Sequence, residues 1–209
     1  MLLKHDTDVV SFCKIIPQEY AMPIVDLRLI EGYSASDKRR LGEAITDAIR
    51  LVIPAPAELV TVMIHDLPKE NYYRGRRNRT PASAKSDPCK LVQDYLTAME
   101  ARDLTKAKAN LAEDFEMWFP GAAQMTSLEE LIQWAKSRYN FVTKSYVGFD
   151  ALQSPDEAAV VYSRGTLSGE WLDGTSFNDI RFIDRFEIIN GKITRQDVWN
   201  DIAEKKVKL

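Results

Sequence analysis

Asp184 is the one carboxylate among Ile180, Phe182, Phe186 and Ile188, which alternate along SFNDIRFIDRFEII. Successive side chains of a strand point to opposite faces, so these residues share one face. Burial of a carboxyl group on an apolar face raises its pKa and suits it to proton transfer near neutral pH. The same residue can instead anchor the sheet, paired with Arg164 or another arginine. Trp118, Tyr139, Tyr146, Tyr162, Trp171 and Trp199 add flat surfaces in the same half of the chain. They read either as core or as the lining of a site for a small, largely apolar or aromatic molecule. Asp197, Asn200 and Asp201 follow as secondary candidates, with solvation as their ordinary role.

Other reactive residue types are sparse. The two histidines, His5 and His65, and the two cysteines, Cys13 and Cys89, stand far apart with no CxxC or HxxxH spacing. A metal site, a Ser-His-Asp triad and a disulfide scaffold all lack material, and neither a metal nor a cofactor is expected. Arg74, Arg76, Arg77 and Arg79 crowd into RGRRNRTPASAKSDP, residues 74 to 88. They can hold an anionic ligand or RNA, or serve as a solvated connector.

The elements that must position these groups fall on either side of that basic stretch. Before it, IVDLRLI (24 to 30) alternates as a half-buried strand, ending at Glu31-Gly32. Ser34 or Ser36 caps a helix with Leu41, Ala44, Ile45, Ala48, Ile49 and Val52 on one stripe, stopped by Pro54 and Pro56. LVTVMIH (59 to 65) is a second strand, so the unit is βαβ with a parallel pair. After it, Asp87-Pro88 opens a helix through Leu91, Val92, Tyr95, Leu96 and Met99, and a short helix runs through Ala107 and Leu111. Ser127 and Glu130 form a capping box for a third helix that includes Tyr139. The remainder reads as antiparallel strands joined at Asp173-Gly174 and Asn190-Gly191. The expected class is α+β: a small βαβ domain followed by a second α+β domain, helices first and a meandering antiparallel sheet second.

Basic and acidic side chains number 28 and 31, a net charge of -3 that offers no basic footprint for nucleic acid. No apolar run approaches the roughly 18 residues of a membrane span, and charges interrupt the first twenty positions. The expectation is a cytoplasmic protein acting on a small molecule, with neither nucleic acid nor membrane as partner.

Residues 22 to 75, with MPI opening the strand, EG-x-S leading into the helix, V-x-V-x-I in the second strand and an aromatic, glycine-bearing segment beyond, resemble the 4-oxalocrotonate tautomerase family. That resemblance implies keto–enol tautomerisation of a 2-oxo acid by an amino-terminal proline, which corresponds to Pro23. A free α-amino group titrates at about 7.7 to 8.0, within reach of general-base work. Pro23 here follows Met22, and an internal proline nitrogen is a tertiary amide, so the chemistry requires Pro23 to become the amino terminus. Tyr33 and Thr61 occupy the positions where the family carries substrate-binding arginines. Tyr72 matches the family's aromatic, and Arg74, Arg76 or Arg28 are the alternative anion binders.

Residues 87 to 205, through RGTLSGEW and RFIDRFEIINGKITRQDVWND, resemble the SnoaL-like branch of the nuclear transport factor 2-like superfamily. The resemblance implies a cone-shaped α+β barrel, three helices on a curved antiparallel sheet, and a fold shared by polyketide cyclases, isomerases and noncatalytic modules. The expected order is an extension (1–22), the tautomerase-like domain (23–75), a linker (76–86) and the SnoaL-like domain (87–209). Pro23 and Asp184 are the catalytic candidates. Tyr33, Thr61, Tyr72, Arg74, Trp118, Tyr162, Arg164 and Trp199 are the substrate-binding ones. The function expected is an isomerase fusion; the alternative is a small-molecule-binding or assembly protein with a degenerate tautomerase domain. The open edges and uncovered face of a lone βαβ unit imply a homo-oligomer, a dimer or hexamer.

Overall fold

Alternation of Val25, Leu27 and Leu29 against polar neighbours produces strand β1 (Ile24–Ile30), over the whole predicted run. The computed structural model describes residues 21–156 and 158–206, so His5, Cys13 and nearly all of the extension lie outside the described residues. The chain divides into two units between Ala84 and Lys85.

In the first unit, β1 is followed by helix α1 (Ala35–Arg50) and strand β2 (Thr61–Leu67), which pairs with β1 in parallel. Ser34 is the cap: its hydroxyl accepts the Asp37 N–H at 3.2 Å, and the Asp37 carboxylate accepts the Ser34 N–H at 3.1 Å. β2 starts two residues later than LVTVMIH because Ala57–Leu59 first coil into a 3-10 turn. Strands β3 (Tyr73–Arg74) and β4 (Arg77–Asn78) make a hairpin where composition alone suggested that an unstructured connector begins. Its turn residues, Gly75 and Arg76, have φ of 60° and 62°, the left-handed pair that a two-residue hairpin loop needs. Burial in this unit is shallow. Helix α1 carries no buried residue, and Ala55 is the one buried hydrophobic residue among those described here.

The second unit begins with helix α2 (Pro88–Glu100), capped by Asp87, whose carboxylate accepts the Cys89 and Lys90 N–H groups. Helix α3 (Leu104–Lys108) ends before Leu111, which opens strand β5 (Leu111–Trp118) instead of closing the helix. Helix α4 (Leu128–Lys136) likewise stops short of Tyr139, the first residue of strand β6 (Tyr139–Gln153). Strands β7 (Ala159–Trp171), β8 (Ser176–Ile189) and β9 (Lys192–Asn200) follow, then the short helix α5 (Ile202–Lys206). The sheet runs β5-β9-β8-β7-β6, and β5 lies parallel to β9, so it is mixed, not wholly antiparallel. Asn190 and Gly191, φ 51° and 74°, form the tight β8–β9 turn.

On β8 the even positions from Ile180 to Ile188 are buried and most odd ones are exposed. Helices α2, α3 and α4 cover that inner face. Val92, Tyr95, Leu96, Ala107 and Leu128 pack against Phe115, Met117, Val161, Phe186 and Ile193. At roughly 1.5–3 kcal/mol for each large apolar side chain taken from water, this unit has a core of its own. Among the described residues, no helix is long and apolar enough to cross a membrane.

Candidate functional site

Asp184 is wholly buried on the inner face of β8. Its register partners are Ser163 on β7 and Val198 on β9, and Arg164 pairs with Ile183 on the opposite face. Arg164 therefore does not meet Asp184. It forms an ion pair with Asp150 at 2.9 Å. The cation that reaches Asp184 is Lys144, from β6, whose ammonium donates to Oδ2. Gln196 Nε2 approaches the same oxygen at 3.5 Å, and the Tyr95 hydroxyl donates to Gln196 Oε1 at 3.1 Å. Asp184 Oδ1 and the neighbouring Ser163 Oγ are buried with no hydrogen-bond partner among the described residues.

Electrostatics follow burial. Removal from water pushes the Asp184 carboxyl above the ordinary value of 3.8, and the Lys144 charge opposes that shift. Burial and the nearby Asp184 charge hold both the Tyr95 and the Tyr146 hydroxyls in their neutral form, well above the usual tyrosine range.

Above this pair lies a cavity of about 160 Å³ whose walls include Tyr95, Phe119, Tyr139, Lys144, Tyr146 and Gln196, with Glu100 and Arg102 also contributing. The ammonium of Lys144 sits 4.5 Å from the centre of the Phe182 ring. Asp184 itself does not line the cavity: Lys144 and Gln196, which do, are the groups that touch it. The expected enclosed carboxylate is thus replaced by an ammonium facing the cavity and a carboxylate buried behind it.

The structure separates several predicted lining residues from this cavity. Tyr139 and Tyr146 belong to it; Trp118, Tyr162, Arg164 and Trp199 do not. Trp118 lies under the Arg195 guanidinium at 4.1 Å, Tyr162 pairs in register with Arg185, and Trp199, 54% exposed, is opposite Ile183. Trp171 packs on Phe177 with ring centres 4.4 Å apart. Asp197 bonds Arg185 and Arg195, Asp201 bonds Arg181, and Asn200 accepts the Ile202 N–H. Lys144, Tyr95 and Gln196 were not singled out from sequence. For Lys144 a signal existed: Val142, Lys144 and Tyr146 alternate along one strand face as Phe182, Asp184 and Phe186 do along another.

In the first unit, Tyr33, Tyr72, Arg74 and Arg28 line one open pocket, while Pro23 and Thr61 are absent from its walls. Pro23 and Thr61 meet elsewhere: the Thr61 N–H donates to the Pro23 carbonyl at 3.0 Å, at the start of the β1–β2 ladder. His65 lies half exposed beside Asp26 at 3.3 Å. Cys89 is a half-buried free thiol whose pKa is raised by burial and by Asp87. The described residues hold no cluster of three or more metal-ligating side chains.

Residues 23–77 match the family described as "Tautomerase enzyme", and residues 92–196 match the one described as "SnoaL-like domain". Over 52 residues the chain is 36% identical to a "Probable tautomerase" of Streptococcus pyogenes serotype M3, a match spanning 25% of this chain and 85% of that protein. A "Probable tautomerase" of Streptococcus mutans serotype c is 38% identical over 52 residues, again 25% of this chain and 85% of that protein. Among solved structures, an NTF2-like protein from Burkholderia thailandensis E264 is 20% identical, with 60% of this chain and 99% of that one covered at a TM-score of 0.49. Another, from Burkholderia pseudomallei K96243, is 18% identical, with coverage of 56% and 92% and a TM-score of 0.47.

Proposed function

The chain belongs to the tautomerase family through residues 23–77 and to the SnoaL-like family through residues 92–196, and from that premise we propose an isomerase-type fusion whose second unit holds a one-ring carbonyl or phenolic ligand above Lys144. One observation carries this reading: the Lys144 ammonium lines an aromatic cavity while its counter-ion, Asp184, is buried behind it. A ligand oxygen brought to Lys144 meets positive charge already held in place by Asp184, on a side chain 22% exposed. Charge preorganised in this way stabilises an oxyanion as it develops, the step that enolisation and ring closure share. Asp184 keeps the ammonium oriented, and Lys144 is the group that offers a proton to the ligand oxygen. At about 160 Å³ the cavity is close in size to an engineered apolar cavity of about 150 Å³ that binds benzene, so one aromatic ring fits.

For the first unit the reading is keto–enol tautomerisation of a 2-oxo acid by a processed form that begins at Pro23. Cleavage of the Met22–Pro23 bond would free that nitrogen, and Met22 is 71% exposed.

A spectroscopic titration tests the second-unit site. 4-Nitrophenol changes colour on ionisation, and bound beside Lys144 it is expected to ionise at lower pH than in free solution. Lys144→Met is expected to remove that shift. Absence of binding, or an equal shift in the variant, refutes the reading.

A further inference from the structure

We propose that Lys144 forms a covalent imine with one-ring aldehydes in the cavity of the second unit, with Asp184 first accepting its proton and then serving as counter-ion to the product. The inference rests on the reading of that cavity as a one-ring carbonyl site and adds a reaction to it.

Geometry sets Lys144 apart from the other paired lysines. It shares the cavity wall with Tyr95, Phe119, Tyr146 and Gln196, and its ammonium lies 4.5 Å from the centre of the Phe182 ring. A ring lodged among these side chains brings its carbonyl carbon to the nitrogen. Lys90, Lys106 and Lys108 have side chains more than half exposed, and that of Lys38 is 26% exposed. Each of those four pairs with a carboxylate that is at least 35% exposed, whereas the partner of Lys144 is wholly buried.

An amine attacks a carbonyl only after losing its proton, and the partner decides where that proton goes. A hydrated carboxylate leaves the lysine charged. Asp184 is poorly served as an anion: Oδ1 has no hydrogen-bond partner among the described residues, and Gln196 Nε2 reaches Oδ2 only at 3.5 Å. Burial favours its uncharged form, and the proton nearest to it is the one that Lys144 donates to Oδ2.

The pair supplies both the acid and the base. Lys144 Nζ passes one proton to Asp184 and attacks the carbonyl carbon, so that a C–N bond forms while the C=O π pair moves to oxygen. Oxygen takes a second proton from the nitrogen. Asp184 returns its proton through the same contact, the hydroxyl takes it from nitrogen and leaves as water, and the nitrogen lone pair closes the C=N bond. One ammonium and one aldehyde thus become one cationic imine and one water, with no oxidant or reductant. The product keeps its positive charge beside Asp184, so the buried carboxylate is never left without a cation. The Phe182 ring still faces that charge.

Benzaldehyde with sodium cyanoborohydride, which reduces imines in preference to aldehydes, tests the step on the full chain. Reduction fixes each imine as a benzylamine that peptide mass spectrometry assigns to a residue. One benzyl group per chain is expected first on Lys144, before Lys38 or any other amine is labelled. Lys144→Arg keeps a cation for Asp184 but has no amine to condense. It is expected to lose that first label and to retain the circular dichroism of the unaltered chain; if its spectrum differs, the order of labelling in the unaltered chain decides alone. Labelling of Lys38 as fast as Lys144, or an early label that persists in Lys144→Arg, overturns the proposal. So does an unlabelled Lys144 in a protein that still lowers the pH at which bound 4-nitrophenol ionises, a result that leaves the oxyanion site standing without the imine. Loss of both signals removes the one-ring site, and the imine with it.

Discussion

Lys144 on β6 reaches Asp184 on β8 across the intervening strand β7, where their register partners are Leu167 and Ser163. The pair holds together because each ion is the other's compensation for leaving water. Lys144→Met alone leaves Asp184 buried without a cation and is expected to cost about 3–5 kcal/mol at neutral pH. Replacing both, with Lys144→Met and Asp184→Leu, should recover most of that loss. Urea unfolding of the two variants checks the difference.

The raised Asp184 pKa sets a pH dependence with a definite sign. Between the ordinary value of 3.8 and the higher native value, the folded protein binds more protons than the unfolded chain. Stability contributed by the neutral carboxyl is therefore full below 3.8 and is lost as pH rises through the native pKa. The loss is at most about 1.4 kcal/mol per pH unit. Asp184→Asn should lack this component, so the difference between its unfolding free energy and that of the unaltered protein should change across the window. A pH-independent difference refutes it.

A Cβ at Gly165 would overlap the Ser145 carbonyl, which is backbone and cannot turn aside. Gly165→Ala should force β6 from β7 and cost more than about 3 kcal/mol, in the range of severe overpacking. Thermal unfolding by circular dichroism measures this, and an unchanged midpoint would show that the strands separate easily.

The shallow burial of the first unit makes self-association the expected state. Leu51 and Val52 are 88% and 80% exposed, and α1 has no buried residue. Light scattering should give a mass above the 23.8 kDa of one chain. A concentration-independent monomer removes the argument.

Mass spectrometry of protein from its native source tests the tautomerase reading. A species beginning at Pro23 and turning over phenylpyruvate supports it. A Pro23-initiated form with no turnover of 2-oxo acids leaves the unit as a binding or assembly module.

Local patterns determined a good deal of this molecule. Alternation in IVDLRLI, the Asp87-Pro88 cap, the Asn190-Gly191 turn and the even-position face of β8 all depend on neighbours within a few residues, and the structure places them as read. Residues 111–118 were less legible, because Phe115 and Met117 are the only fully buried positions in a strand paired parallel to the distant β9. Tertiary structure alone decided that Lys144, not Arg164, meets Asp184. Strand parity tells which face a side chain occupies, but not which strands become neighbours across the sheet. The order β8-β7-β6 brought together an amine and a carboxylate forty residues apart, because only the folded sheet sets those strands side by side.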